Sequence, residues 1–133
     1  MERVYTTPRL DKLGVKPGSR VALVGLDDVA FELELRDRTQ DITHGDPPPD
    51  TDLVFLAADD QTALAALAAL RERLRPNGAI WVVSRKGKAA TLRDVEVIAA
   101  AKANGLVDNK VASFDDARTS LRLVIPVALR PRS

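Results

Sequence analysis

Three short apolar segments follow one another along the chain, and each one ends at a glycine or a polar residue. They are Arg20–Gly25, Leu53–Ala58 and Ala79–Ser84. The segments are continuously apolar rather than alternating, which is typical of strands buried on both faces of a parallel sheet. The pattern therefore predicts three neighbouring strands of such a sheet.

Helical spacing follows the first two strands. Asp27-Asp28 occupies an N-cap position, and a short helix is predicted from there to residues 36–38. Asp59-Asp60 is predicted to cap a longer helix from about Gln61 to Leu74, whose leucines line one side. Pro76-Asn77-Gly78 is predicted to end this helix, because proline cannot continue it and Asn-Gly readily takes positive φ.

The pattern changes after the third strand. A capping box of Thr91 and Asp94 predicts a helix through Ala103, with Gly105 at its C-terminal cap. Two further strands, at residues 110–115 and 121–127, are separated by too few residues for a crossover helix and must pair as a hairpin. We therefore expect a mostly parallel sheet that ends in an antiparallel C-terminal hairpin.

The remaining segments are irregular. Thr39–Thr51 contains one brief candidate strand at Ile42-Thr43, followed by three consecutive prolines that no sheet or helix interior accepts. Residues 1–19 are predicted to be an N-terminal arm and turn, and residues 129–133 a loose basic tail. With 133 residues, the chain fits a single α/β domain spanning 1–133.

Composition excludes several classes of site. The chain has no cysteine and one histidine, so no thiolate or histidine-cluster metal site is predicted. A net charge of +1 and scattered aromatic residues argue against nucleic acid as a partner. No segment has the apolar length of a membrane span or signal peptide, and with the lack of cysteine this predicts a cytoplasmic protein.

The order of elements resembles that of class I S-adenosylmethionine (SAM)-dependent methyltransferases. Leu74–Val82 looks like the turn that precedes their fifth strand, and Asp52–Phe55 looks like the start of their fourth. The resemblance implies a Rossmann-like fold with a reduced class I methyltransferase-like sheet. The segment between Leu35 and Asp52 is too short for the usual second strand, third strand and their helices, so the sheet is expected to be truncated there.

A closer resemblance is to a bacterial family of small methyltransferase-like proteins described only as a domain of unknown function. Three segments carry it, namely Lys12–Gly18, Leu74–Val82 and Gly105–Val111. One departure lies in Arg118–Leu121, where the family leads us to expect a tryptophan before the serine. The family implies a fold and brings no established activity.

The cofactor motif of the methyltransferases is mostly lost. It consists of an acid followed by three glycines at alternate positions, and here only Gly25 matches, with Leu23, Asp27 and Val29 at the other positions. Asp27 and Asp28 place negative charge where an anionic group would dock at a helix N-terminus. Asp46 is the one nearby candidate for the ribose hydroxyls, with an ordinary acid in a proline-rich turn as the alternative.

Other candidates surround the same crevice, since the carboxyl ends of parallel strands meet at one edge. The basic loop has three cations, Arg85, Lys86 and Lys88, that could bind an anion, although a charged surface loop has the same pattern. Asp59 and Asp60 are further crevice candidates. No residue is predicted to be catalytic, because His44 and Ser84 have no identifiable partners.

Three functions remain open at this point. The first is a non-catalytic small-molecule-binding or interaction domain on a methyltransferase-like scaffold, whose cofactor is unknown, SAM being one possibility. The second is a divergent SAM-dependent methyltransferase, and the third is a module that docks a protein partner. An eroded cofactor motif on a retained sheet favours the first.

Overall fold

A computed structural model describes residues 8–130. Its helices and strands, in chain order, are α1 Pro8–Leu13, β1 Val21–Val24, α2 Val29–Arg36, β2 Ile42–His44, β3 Thr51–Ala57, α3 Leu67–Arg71, β4 Leu74–Arg85, α4 Asp94–Ala103, β5 Val107–Ser113 and β6 Arg118–Val124. Short 3-10 helices span Gln61–Ala66, Gly87–Ala89 and Val127–Leu129. Within the described residues, no helix is long and apolar enough to cross a membrane.

The strands form one six-stranded mixed sheet in the order β2-β1-β3-β4-β6-β5. The first four strands pair in parallel, and β6 pairs antiparallel with both β4 and β5. The predicted α/β fold, with a mostly parallel sheet and an antiparallel C-terminal hairpin, is confirmed. The second strand is present but only three residues long, so the sheet is truncated on that side.

Each face of the sheet has its own core. On one face, α3 and α4 cover β4 and β6 through leucine and alanine side chains such as Leu67, Leu70 and Ala101. On the other face, α1 and α2 cover Phe55 and Trp81. The helices on this second face are short, and large aromatic side chains fill the space beneath them. The indole Nε1 of Trp81 donates to the carbonyl of Leu13 at 3.0 Å, which joins α1 to the central strand.

The predicted N-terminal arm is wrong for residues 8–15, which are packed. Residues 8–13 form α1, and Leu10, Leu13 and Val15 are buried on the aromatic face of the sheet. Residues 1–7 of the predicted arm lie outside the described residues. The physical reason for the error is that a six-residue helix has too few apolar positions to show a helical period. The helix is buried because it packs on the aromatic face of the sheet.

The helix predicted from Gln61 to Leu74 is interrupted and shorter. A 3-10 helix over Gln61–Ala66 leads into α3, which ends at Arg71, and β4 begins at Leu74. Pro76-Asn77-Gly78 therefore lies within the strand. The register of β3 and β4 shifts here, because Thr51 pairs with Leu74 and Leu53 with Ala79, so residues 75–78 bulge out opposite Asp52.

Gly78 is required by packing and not by a left-handed backbone. Neither Asn77 nor Gly78 has positive φ, contrary to the prediction from the Asn-Gly pair. A Cβ atom at Gly78 would lie 2.8 Å from the carbonyl oxygen of Asp52 and 3.0 Å from that of Thr51. Both atoms are backbone, so the contact cannot be relieved by a side-chain rotation. Because Gly78 has no side chain, the bulge can pack directly against the backbone of β3.

The predicted start of α4 is displaced, whereas its predicted end is confirmed. The side chain of Glu96 accepts from the amide of Arg93 at 2.9 Å, and Thr91 instead donates its hydroxyl to the carbonyl of Asp59. At the other end Gly105 has φ +73°, and Leu106 N donates to Ala101 O at 2.9 Å. This is the Schellman arrangement.

The predicted loose tail begins with ordered residues. Leu129 belongs to the last 3-10 helix, and the guanidinium Nε of Arg130 donates to the carbonyl of Ile125 at 2.9 Å. Residues 131–133 lie outside the described residues. The tail prediction is therefore wrong for residues 129 and 130, because a side chain folds back on the strand end.

We expect Leu10→Ala to destabilise the domain by about 2–5 kcal/mol, the cost typical of a cavity left by a buried leucine. The matched control is Leu33→Ala, on α2, where the leucine is 62% exposed and the cost should stay within about 0.5 kcal/mol. Urea denaturation of both variants measures the difference. Equal small losses would mean that α1 is an arm that contributes nothing to stability.

Gly78→Ala is expected to cost about 1–3 kcal/mol, as overpacking against rigid backbone does. Gly78→Asn should be at least as costly. If the glycine were needed for positive φ, asparagine would be tolerated there better than alanine. Asn77→Ala, at the exposed neighbouring position, serves as the control and should be near neutral. Thermal denaturation of the three variants separates the packing explanation from the backbone explanation.

Candidate functional site

The crevice loops predicted from the sequence meet at the carboxyl edge of the parallel strands. The backbone N–H of Arg85, the last residue of β4, donates to Oδ1 of Asp59, which follows β3, at 3.1 Å. Lys86 N donates to the carbonyl of Ala117, in the β5–β6 turn, at 3.0 Å. The sheet thus brings together the loops after β1, β3 and β4, and it adds the turn of the hairpin as a further wall.

Asp28 caps the helix that follows β1. Its Oδ1 accepts from Phe31 N at 2.9 Å, as the N-cap prediction requires. Its Oδ2 accepts from the guanidinium of Arg118, on β6. Arg118 also forms an ion pair with Asp115 of the hairpin turn at 2.6 Å. We call Asp28, Arg118 and Asp115 the carboxyl-edge ion cluster.

The ion cluster changes the acidity of its members. Burial by itself raises the pKa of Asp28, but the Phe31 amide and the Arg118 guanidinium outweigh it and leave the pKa below its ordinary value. The pKa of Asp115 is likewise lowered, since Arg118 and the Ala117 amide outweigh burial. The hydrogen bond to Asp115 raises the pKa of Arg118. All three groups are therefore charged at neutral pH.

Aromatic packing fixes the guanidinium of Arg118. It lies 4.9 Å from the ring centroid of Phe114, and the guanidinium of Arg9 lies 4.9 Å from the same centroid. Phe114 in turn packs on Phe31, with ring centroids 4.7 Å apart. Arg9 also donates to the carbonyl of Phe114 and to Glu34 of α2. The cluster is thus anchored to α1, α2 and the hairpin together.

Arg118 was not among the residues predicted to form the site. The sequence signal available was its place in Arg118–Leu121, where the family resemblance leads us to expect a different residue before the serine. Of its two partners, Asp28 is 90 residues away in the sequence and Asp115 is three residues away. The antiparallel pairing of β4 and β6 sets Arg118 opposite Arg85, at the same edge of the sheet as Asp28.

The basic loop is partly engaged in contacts with its surroundings. Arg85 forms an ion pair with Asp59 at 3.3 Å, and Lys86 Nζ donates to Ser113 Oγ at 2.9 Å. Lys88 is exposed. A cavity of about 460 Å³ opens beside Arg85 and Lys86, with Leu92 and Val95 on its other side. The predicted anion role of these cations stays a prediction.

The other predicted residues are less closely associated with the crevice. Asp60 caps the 3-10 helix through Ala63 N at 3.1 Å, as predicted. Asp46 and Asp27 are exposed. His44 ends β2 and contacts Glu32 Oε1 at 2.8 Å. No group of metal-ligating side chains occurs in residues 8–130.

The residues around β1 do not fit SAM in its usual position. Gly25 has φ +70°, and a Cβ there would have only ordinary contacts with Ala57 at 3.9 Å or more, so the turn is a glycine turn for conformational reasons. Asp28 satisfies the amide of Phe31, and Arg118 is neutralised by two carboxylates. The Phe31 amide and the Arg118 guanidinium are therefore not free to bind the cofactor's carboxylate at this helix terminus.

Arg118→Met should destabilise the domain by about 2 kcal/mol at neutral pH, the loss typical of a hydrogen bond between charged groups. The wild-type domain should also lose stability on acidification. Carboxylates with a pKa below the unfolded-state value stabilise the fold at a pH above that value, and the stabilisation disappears as pH falls through the lowered folded-state pKa.

The measurement is urea denaturation from pH 7 to pH 3, with Arg73→Met as control, at an exposed position between α3 and β4. Wild type and the control should share the same slope of stability against pH in the acid range, while Arg118→Met should have a shallower slope. Parallel curves for all three proteins would contradict a stabilising ion cluster.

Comparison with solved structures shows a methyltransferase-like Rossmann fold. Magnesium protoporphyrin IX methyltransferase from Synechocystis PCC 6803, solved with bound SAM, is 13% identical, with 86% of this chain and 74% of that chain covered and a TM-score of 0.63. A TehB-like SAM-dependent methyltransferase from Corynebacterium glutamicum is 13% identical over 88% and 85% of the two chains, with a TM-score of 0.59.

A third similar structure is precorrin-6y C5,15-methyltransferase from Geobacter metallireducens, 11% identical over 87% and 84% of the chains, with a TM-score of 0.61. Identities this low show the fold alone. The search of curated proteins found no match. Residues 10–127 match the family described as Protein of unknown function (DUF3052). The chain therefore belongs to this family, on a reduced methyltransferase-like sheet.

Proposed function

We propose that this protein is a non-catalytic binding or interaction domain on a methyltransferase-like scaffold. The observation that supports this most directly is the carboxyl-edge ion cluster. Asp28 and Asp115 hold Arg118 across the start of α2. In the methyltransferases that this chain resembles, this region follows the first strand and receives the methionine part of SAM.

Occupied donors explain why the cluster argues against that cofactor. The Phe31 amide and the Arg118 guanidinium could bind the carboxylate of the methionine part of SAM, but both are already bound to Asp28, and Arg118 also to Asp115. Displacing Arg118 would leave the Asp28 carboxylate, whose side chain is 15% exposed, without its cationic partner. Such a displacement costs free energy, since a partly buried charge would lose its partner.

The proposed binding surface is the remaining part of the carboxyl edge. The cavity of about 460 Å³ beside Arg85 and Lys86 has the size of a small-molecule pocket, and Leu92 and Val95 give it an apolar wall. A divergent methyltransferase is the second candidate, and the fold shared with a SAM-bound structure favours it. A protein-docking module stays the third. Binding of SAM separates the second from the other two.

The test is isothermal calorimetry and thermal denaturation of the full chain with SAM and with its demethylated product S-adenosylhomocysteine. We expect no heat of binding and no saturable shift of Tm at millimolar ligand. A native-state ligand at 100 times its Kd would stabilise the fold by about 2.7 kcal/mol, which thermal denaturation detects easily. Saturable stabilisation by either compound would overturn the proposal in favour of the methyltransferase.

Two controls make a negative result informative. The TehB-like methyltransferase from Corynebacterium glutamicum, measured in the same buffer, checks that the ligand batch is competent to bind a protein of this fold. Asp28→Ser keeps an N-cap residue but removes the charge. If only this variant gained SAM binding, the carboxylate would be identified as the group that excludes the cofactor.

A further inference from the structure

The edge of the sheet opposite the carboxyl-edge crevice contains a second concave region. A cavity of about 440 Å³ is lined by the turn from Gly14 to Ser19 together with Asp52, Asn77 and Arg122. An adjoining cavity of about 240 Å³ is lined by residues that include Asn109, Lys110 and, again, Gly14 and Arg122. Arg122 therefore lies where the two cavities join. We call this region the amino-edge groove.

Arg122 is a partly buried cation without a counter-ion among the residues that the structure describes. It forms no ion pair with any carboxylate of residues 8–130, and its hydrogen bond to a side chain in that range is a long one of 3.3 Å to Asn109 Oδ1. Burial, and then repulsion from Arg130, lower the pKa of Arg122. Withdrawing a guanidinium from water without a partner costs free energy, so the groove favours binding of a negative group.

Strand pairing increases this local positive charge. Lys110 on β5 lies directly opposite Arg122 on β6, and like charges at opposite positions of an antiparallel pair repel each other. The ammonium group of Lys110 donates to the carbonyl of Lys12, at the end of α1, at 2.7 Å. That contact places Lys110 at the groove without neutralising its charge. Lys16 adds a further, exposed cation to the wall.

The two acidic residues that line the groove are already engaged elsewhere. Asp52 forms an ion pair with Arg75 at 2.8 Å and accepts from the amide of Arg20 at 2.8 Å. Asp11 forms an ion pair with Arg38 at 2.8 Å. Neither carboxylate forms an ion pair with Arg122 or Lys16, so these two cations remain available to a ligand.

We infer that the amino-edge groove binds a small molecule through a carboxylate or phosphate group held by Arg122, with Lys16 and Lys110 adding positive charge. A guanidinium presents paired N–H donors that match the oxygen atoms of both groups. Asn77 and Ser19 supply neutral polar groups on the same wall. The volume of the larger cavity is that of a small-molecule site. This site lies at the opposite edge of the sheet from the crevice of the proposed function.

The experiment follows the backbone amides of ¹⁵N-labelled full chain by NMR during titration with inorganic phosphate and, separately, with citrate. Sodium chloride at matched ionic strength is the reference titration. We expect saturable shifts at residues 14–19, 77, 109–110 and 122 with at least one of the two anions. The anion that binds more tightly identifies the source of the negative group as phosphate or carboxylate.

Two variants test the assignment to Arg122. Arg122→Gln should weaken binding about ten-fold or more, as loss of a charge-assisted hydrogen bond does, and Lys16→Gln should weaken it several-fold. Lys102→Gln, at an exposed position of α4 outside both cavities, is the matched control and should leave the affinity unchanged. Lys16 is exposed, so its variant stays folded and gives a result even if Arg122→Gln does not fold.

Several outcomes would overturn the inference. These are shifts that match the chloride titration, shifts that do not saturate, shifts confined to residues 85–88, and an affinity that neither Lys16→Gln nor Arg122→Gln changes. The residue numbers of the shifted amides also separate this result from the SAM measurements. Failure at the amino-edge groove leaves the proposed function at the carboxyl edge intact, and the reverse also holds.

Discussion

Both faces of the sheet have to be covered, and the chain has few residues with which to cover the second one. Parallel strands are apolar on both sides, and β1, β3 and β4 are mostly buried. On the second face, the α-helices within residues 8–130 are α1, with six residues, and α2, with eight. Large side chains compensate for these short helices. Trp81, Phe31, Phe55 and Phe114 are among the largest fully buried residues of the domain.

This need for cover accounts for the chemistry of the carboxyl edge. Phe114, at the end of the hairpin, fills the space beside α2 and brings Arg118 close to Asp28. A cation beside a cluster of aromatic rings needs anionic partners, and the cap of α2 supplies one. The N-terminal cap of α2 is thereby used to fasten the hairpin to α2. The Phe31 amide that could bind a ligand is occupied by a contact that stabilises the fold.

Much of the fold was predictable because its strands depend on local composition. The apolar runs around Val21–Val24 and Leu53–Ala57 determine buried strands without reference to the rest of the chain, and the short connection after Ser113 requires a hairpin. By contrast, α1 is stabilised by tertiary contacts, such as the bond from Trp81 to the Leu13 carbonyl. The strand geometry of residues 75–78 depends on Asp52 and its neighbours, which no local propensity describes.

For the candidate site, the sequence predicts which loops meet but not which of their charged side chains pair with each other. Topology places Gly25–Asp28, Asp59-Asp60 and Arg85–Lys88 at one edge, and the structure agrees with that placement. Which charges are neutralised within the protein depends on contacts such as Asp28 with Arg118, which are distant in sequence. The two edges of the sheet differ in this respect.

At the carboxyl edge, the guanidinium groups of Arg85 and Arg118 are both paired with carboxylates, those of Asp59, Asp28 and Asp115. At the amino edge, the paired groups are the acids, and the cation Arg122 is left without a carboxylate among the described residues. A methyltransferase-like fold does not oblige a ligand to bind at the carboxyl edge. The free energy available for binding an anion is larger at the amino edge, where the partly buried guanidinium of Arg122 has no carboxylate partner among the described residues.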